Sequence, residues 1–269
     1  EELKEKAVAA MSFVQGESSG YQVLTVKDLT FGYAGDDLFK DLEFTIYQGD
    51  RIALIGKNGT GKTTLLKIIL GEITPLKGTF DFGARVNCLY FSQEGEKLDS
   101  ENTVFEEIQT ERILTIEEAK SHLARFLFKN DDLDKKVKDL SGGERNRLAL
   151  AKLMLMEGNF LILDEPTNHL DMETRQVLED ALEEYPGTIL MVSHDRYLIN
   201  QVANQVWELK DKKIAIYLGD YDYYLWKKVE ERLAKEKEEY LSNQQKNVRT
   251  IKKEKPQKKK RKYVKRSEI

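Results

Sequence analysis

The sequence predicts an α/β fold built on a mostly parallel core sheet, and three observations predict it. Uninterrupted apolar runs at Ile52–Ile55, Phe160–Leu163 and Ile189–Val192 each lead through polar or Gly-rich residues into a helical segment. Such runs fit strands buried on both faces by crossover helices. The first run opens into Gly56-Lys57-Asn58-Gly59-Thr60-Gly61-Lys62-Thr63 and then the helical stretch Thr64–Ile69, and the second ends in the acid pair Asp164-Glu165. In a parallel sheet the residues at the carboxyl ends of the strands share one crevice, so these groups are expected to converge.

The remaining elements follow in chain order. Glu1–Met11 reads as a charged helix, and a start without an initiator Met implies a fragment or processed chain. After the loop Gln15–Gly20, Tyr21–Val26 and Leu42–Ile46 alternate like half-exposed strands and predict an N-terminal antiparallel β subdomain. Cys88, within Val86–Phe91, is expected to pack in a strand. From about residue 95 the pattern turns helical and polar. There Thr115-Ile116-Glu117-Glu118 is a capping box, and Ala119, Leu123, Phe126 and Leu127 mark one apolar face, which predicts a small helical insert at about 95–158. His122 borders that face and reads as structural. From Asp220 the chain becomes aromatic and then strongly charged. A helix is expected over Glu230–Tyr240, interrupted by Pro256, with a Lys-rich remainder that is disordered when unbound.

Composition bounds the function. A chain of 269 residues can bury a substantial core in one large or two small domains. No apolar run approaches the roughly 20 residues that span a bilayer, and no charged-then-apolar signal segment opens the chain. Cys88 is the one cysteine, which excludes an internal disulfide and fits a reducing cytoplasm. The net charge of −4 hides an asymmetry: residues 246–269 hold 12 Lys/Arg against 2 Glu, while residues 1–245 hold 31 against 45 acids. A basic tail on an acidic body points to an anionic partner such as nucleic acid.

The eight residues Gly56–Thr63 have the spacing of a phosphate-binding loop. Glycines at 56, 59 and 61 remove Cβ atoms that would obstruct a polyphosphate, and the backbone N–H groups of the loop, Asn58, Thr60 and Thr64 included, curl around it. Lys62 can reach the β- and γ-phosphates, Thr63 can offer its hydroxyl to Mg²⁺, and the helix N-terminus adds favourable charge. Asp164 is the second candidate for Mg²⁺, through water, and Glu165 the candidate general base for an attacking water. Leu140-Ser141-Gly142-Gly143-Glu144-Arg145 is both a capping box, Ser141 to Glu144, and an anion site at a glycine-flanked helix start.

Leu-Ser-Gly-Gly-Glu resembles the signature motif of ATP-binding-cassette proteins. The resemblance implies a P-loop ATPase cassette and assigns further roles residue by residue. Gln93, in Phe91-Ser92-Gln93, is similar to the glutamine that senses Mg²⁺ and the attacking water. His194, in Val192-Ser193-His194-Asp195, is similar to the switch histidine that contacts the γ-phosphate. Tyr33, in Phe31-Gly32-Tyr33, is similar to the aromatic that stacks on adenine, with Phe31 as the fallback. In that family the signature of one cassette completes the ATP site of another, so Ser141 and Gly143 would contact a nucleotide held by a partner. One cassette supplies half of each of two sites, and weak turnover is expected of it alone.

Glu165-Pro166-Thr167-Asn168-His169-Leu170-Asp171 resembles the ABC-F group more than transporter cassettes, and Tyr217-Leu218-Gly219-Asp220-Tyr221-Asp222-Tyr223-Tyr224 does so too. His169 reads as a surface-loop residue. The group implies a soluble, cytoplasmic protein with two cassettes on one chain that acts on the ribosome, its rRNA and tRNA, without a membrane partner. By that resemblance residues 1–18 are the end of the linker between cassettes, 19–228 the second nucleotide-binding domain, and 229–269 a charged helical and basic extension; in its tail, 246–269, the lysines with Tyr263 among them favour contact with rRNA phosphates. A motor subunit of a membrane transporter and a regulatory cassette with little turnover are the two rivals.

Overall fold

A computed structural model describes residues 17–33, 35–92, 98–168 and 170–253. The expectations for the helix at Glu1–Met11, for Gln93, for His169 and for the chain beyond residue 253 lie outside them. The chain divides into two compact units, one up to Tyr224 and one from Leu225.

The first unit holds two sheets. Strands β1 (Gln22–Tyr33), β2 (Asp36–Tyr47) and β4 (Lys77–Phe82) form an antiparallel sheet in the order β2-β1-β4. The other has six strands in the order β5-β6-β7-β3-β8-β9: Cys88–Phe91, Phe160–Asp164, Thr188–Val192, Arg51–Ile55, Gln205–Lys210 and Lys213–Tyr217. Its first five strands run parallel, and β9 returns antiparallel to β8. The three apolar runs are its central strands. Their side chains alternate between two cores: Ile52, Leu54, Phe160, Ile162, Leu190 and Val192 pack with β1, β2 and helix α1 (Lys62–Ile69), whereas Ala53, Leu161, Leu163, Ile189 and Met191 pack on the opposite face. Burial on both faces is why these strands carry no polar alternation.

Between β5 and β6 lies the helical insert: α2 (Val104–Gln109), α3 (Ile116–Arg125), two 3₁₀ turns and α4 (Gly142–Leu153). Each helix starts at a reciprocal capping box, Thr103 with Glu106, Thr115 with Glu118 and Ser141 with Glu144. The expected apolar face of α3 needs one correction. Ala119, Leu123 and Phe126 are buried, but the helix ends at Arg125, and Leu127 turns outward at φ 63°, 39% exposed, while Phe128 enters the core. His122 is structural as expected, its Nε2 lying 2.8 Å from the Ala151 carbonyl oxygen, and burial lowers its pKa.

Helices α5 (Met172–Glu184) and α6 (Arg196–Val202) follow β6 and β7, and α7 runs from Tyr221 to Lys253, longer at both ends than the pattern over Glu230–Tyr240 predicts. Its earlier start has a local cause: Asp220 Oδ1 accepts from the Tyr223 amide at 2.8 Å. Cys88 packs in β5, where burial pushes its thiol up to about 12.

One ion pair ties the insert together. Lys152 Nζ on α4 lies 2.7 Å from Glu107 Oε1 on α2, and the Glu107 side chain is 1% exposed. Glu107 Oε2 also accepts from Asn102 Nδ2 at 2.9 Å and from the Asp99 amide at 3.2 Å. Burial works against the Lys152 ammonium, but Glu107 and Glu111 outweigh it and raise its pKa. Lys152→Met should cost about 3–5 kcal/mol in urea unfolding, because it strands a buried carboxylate, and adding Glu107→Gln should recover part of that loss.

Candidate nucleotide site

The phosphate loop takes its shape from close approaches. A Cβ at Gly56 would lie 2.6 Å from the Leu209 carbonyl oxygen, so only glycine lets the loop leave β3 against β8. Gly61 begins α1 at φ 98°, a conformation that favours glycine. The loop closes on itself: Thr60 Oγ1 donates to the Lys57 carbonyl at 2.9 Å, and Lys62 Nζ donates to the Gly56 carbonyl at 2.9 Å. The ammonium group thus sits inside the ring of amides that a polyphosphate would enter. Burial lowers the pKa of Lys62, against the attraction of Glu165 and Asp164.

Across from the loop, β6 ends in the two acids. Asp164 is 1% exposed; its carboxylate hydrogen-bonds the Thr63 side chain, and its Oδ1 is buried with no hydrogen-bond partner. Burial raises its pKa, opposed by Thr63, Lys62 and Lys67. Glu165 sits at φ 52°, a left-handed conformation costly for a residue with a Cβ, and its amide donates to the Val192 carbonyl at 2.8 Å. That turn aims its carboxylate at His194, with the His194 amide 3.3 Å from Oε2 and Nε2 3.4 Å from Oε1. Burial raises the pKa of Glu165, against His194 and Lys62.

These groups share a cleft of about 610 Å³. It brings together Tyr33, Asn58, Gly59, Gly61, Lys62, Thr63, Thr64, Asp164, Glu165 and His194. Tyr33 stands at its mouth, 57% exposed, edge-on to Phe31 at 5.1 Å. Gly56 and Thr60 shape the loop without lining the cleft, and Ser141 and Gly143 lie outside it at the start of α4. Leu38, Val192 and Asn168 line it as well. Leu38 carries no sequence signal, since its place comes from β2 lying over Gly61, where a Cβ would meet it at 3.2 Å.

The ABC transporter family model matches residues 39–168, from β2 through both acids. ABC transporter F family member 2 of Arabidopsis thaliana is 45% identical over 218 residues, 80% of this chain and 32% of that protein. This is an ATP-binding-cassette ATPase domain. The cassette is also 40% identical over 220 residues to the energy-dependent translational throttle protein EttA of Haemophilus influenzae, covering 79% of this chain and 40% of that protein. It thus spans about a third to two fifths of the length of these relatives. The ATP-binding subunit of an ABC transporter shares its fold, with a TM-score of 0.63 and 24% identity over 74% of this chain and 90% of that one. Among the described residues no helix is long and apolar enough to cross a membrane.

The donor set of the cleft fits a hydrated divalent cation such as Mg²⁺. The unpartnered buried Oδ1 of Asp164 and the neighbouring Thr63 hydroxyl are hard oxygen donors, and no cluster of three or more His, Cys, Asp or Glu side chains occurs among the described residues. That is the pattern of a cation held largely by water and substrate phosphates.

The raised acids carry a cost. Stability from a carboxyl whose folded pKa is raised is complete below its ordinary value of about 4 and is lost as pH rises through the raised value. At neutral pH the ionised Asp164 and Glu165 therefore oppose folding of the nucleotide-free chain. Asp164→Asn should raise its Tm at pH 7, with the gain shrinking toward pH 4, and should abolish the extra stabilisation that Mg²⁺ adds to ATP. Differential scanning fluorimetry across pH, with and without Mg²⁺ and ATP, measures both effects.

Proposed function

We propose that this chain is the second cassette of an ABC-F protein, one that closes with another cassette on two ATP molecules and acts as an ATP-gated switch on the ribosome. The observation that carries the reading is the separation of two anion-binding features. The phosphate loop, the acids and His194 share one cleft, whereas Ser141, exposed, and Gly143, half-buried, sit elsewhere at a capped helix start. That separation supports composite sites, in which the Ser141 helix of one cassette meets the γ-phosphate bound by the other.

In such a site each side chain has a definite task. The loop amides and Lys62 neutralise phosphate charge, and Tyr33 stacks on the purine. Thr63, Asp164 and Gln93 would hold Mg²⁺, which would supply neutralisation of phosphate charge when bound. Glu165 accepts a proton from the attacking water, and its raised pKa places it nearer the pH at which a base is both ionised and effective. His194, held by Glu165, faces the γ-phosphoryl position and stabilises the charge that develops there.

Likeness to the translational throttle protein EttA and to an F-family member supports the ribosome as partner, and the 12 Lys/Arg of residues 246–269 support contact with rRNA phosphates. In this reading residues 1–18 end a linker between cassettes, 19–228 form the nucleotide-binding domain, 229–269 extend toward RNA or tRNA, and the protein works in the cytoplasm. Transporter cassettes also share the fold, but the loop from Asn168 to Asp171 favours the F group.

Ribosome co-sedimentation of the longer, two-cassette protein carrying Glu165→Gln tests this. Pelleting with ATP and not with ADP is expected, and removal of residues 246–269 should weaken it, most visibly at low salt. Protein that stays in the supernatant with ATP bound would exclude the ribosome as partner.

A further inference from the structure

The turn between β8 and β9 holds two residues at positive φ, Asp211 at 50° and Lys212 at 66°. With Lys210 paired to Lys213, they form a two-residue hairpin loop whose second position ordinarily belongs to glycine. A lysine there is strained, and strain kept at a residue that bears a Cβ points to a task for it.

The contacts of Lys212 show what the task is. Its Nζ lies 3.2 Å from Asp36 Oδ1, and its carbonyl accepts from the Lys40 amide at 3.0 Å. The turn therefore grips β2 on both sides of Leu38, which lines the nucleotide cleft. Asp36 is also the register partner of Tyr33, the aromatic at the mouth of that cleft. At Gly32 the two strands cross so closely that a Cβ would overlap the Asp36 carbonyl, so a shift of Asp36 carries the end of β1 with it. The same end of β8 seats the phosphate loop, because Gly56 lies against the Leu209 carbonyl. One edge of the sheet thus buttresses both halves of the cleft, the loop through Leu209 and the tyrosine-bearing hairpin through Lys212.

We propose that Lys212 is a positioning residue for the nucleoside half of the ligand: its ammonium group and carbonyl hold β2 so that Tyr33 and Leu38 stand together as the wall for the purine. The role rests on the reading of Tyr33 as the stacking residue and deepens it, since a residue far along the chain then sets where that ring stands.

Isothermal titration of the full chain with Mg²⁺-ATP and with Mg²⁺-tripolyphosphate, which has the phosphates without the purine, tests it. The variants are Lys212→Gly, Asp36→Asn, the two combined, and Tyr33→Ala. Lys212→Gly relieves the left-handed turn, so its Tm should not fall, yet ATP should bind about two- to fivefold more weakly, the scale of an exposed ion pair. Tripolyphosphate should bind it unchanged. A role in folding alone would lower Tm and would not separate the two ligands. Asp36→Asn should match Lys212→Gly, and the double variant should be no weaker than either, because both remove one link. Unchanged ATP affinity in Lys212→Gly would overturn the proposal. So would tripolyphosphate weakened as much as ATP, which would make Lys212 a general attraction for polyphosphate. Either result leaves the purine wall standing when Tyr33→Ala weakens ATP alone. If Tyr33→Ala binds ATP as tightly as the unaltered chain, the wall and the proposal fall together.

Discussion

The structure depends on one electrostatic constraint: two carboxylates and an ammonium group are held out of water at the ends of adjacent parallel strands. β3 delivers Lys62 through the loop, β6 delivers Asp164 and Glu165, and β7, between them, delivers His194. Burial raises both acids and lowers the lysine, so all three are disfavoured in their charged forms. Parallel pairing of β6 to β7 to β3 leaves the chain no way to separate them. The free energy that burial of these groups withholds becomes available when a magnesium-bound polyphosphate brings compensating charges, which links the stability of the domain to its ligand.

Backbone strain serves the same end. Glu165 is neither glycine nor asparagine, yet it occupies φ 52° where β6 turns into the following loop. The Val192 carbonyl pins its amide, and Asn168 donates its own amide to the Glu165 carbonyl at 3.1 Å. A conformation costing about 1 kcal/mol is kept because it points the carboxylate across to β7 and His194. The insert is anchored by different means. Arg147 on α4 reaches Asp171 Oδ2 at 3.1 Å while Asp171 Oδ1 caps α5, so the helix bearing Ser141 is tied to the loop that follows the acids.

What was legible in the sequence was local or periodic. The loop spacing, the acid pair, the apolar runs and two of three capping boxes each lie within a few consecutive residues. The third, Thr103 to Glu106, has the same pattern and was open to the same reading. Interactions across long separations were not legible: Lys152 with Glu107, Leu38 over Gly61, and Tyr224 with Glu208 arise only when the sheet order brings distant strands and helices together. Leu127 was misplaced for a related reason. Helical spacing continued past Arg125 on paper, but the chain turns left-handed there and gives the core Phe128.

The claim that the two anion-binding features belong to two different nucleotides is open to a mixing experiment. Lys62→Ala disables the loop of one chain and Ser141→Arg the helix start of another, and each alone should lack ATPase activity. Mixed at a concentration where turnover per unaltered chain still rises with protein, they should regain a substantial part of that turnover, since one site of each mixed pair has an intact loop and an intact helix start. A mixture as inactive as its components would contradict composite sites.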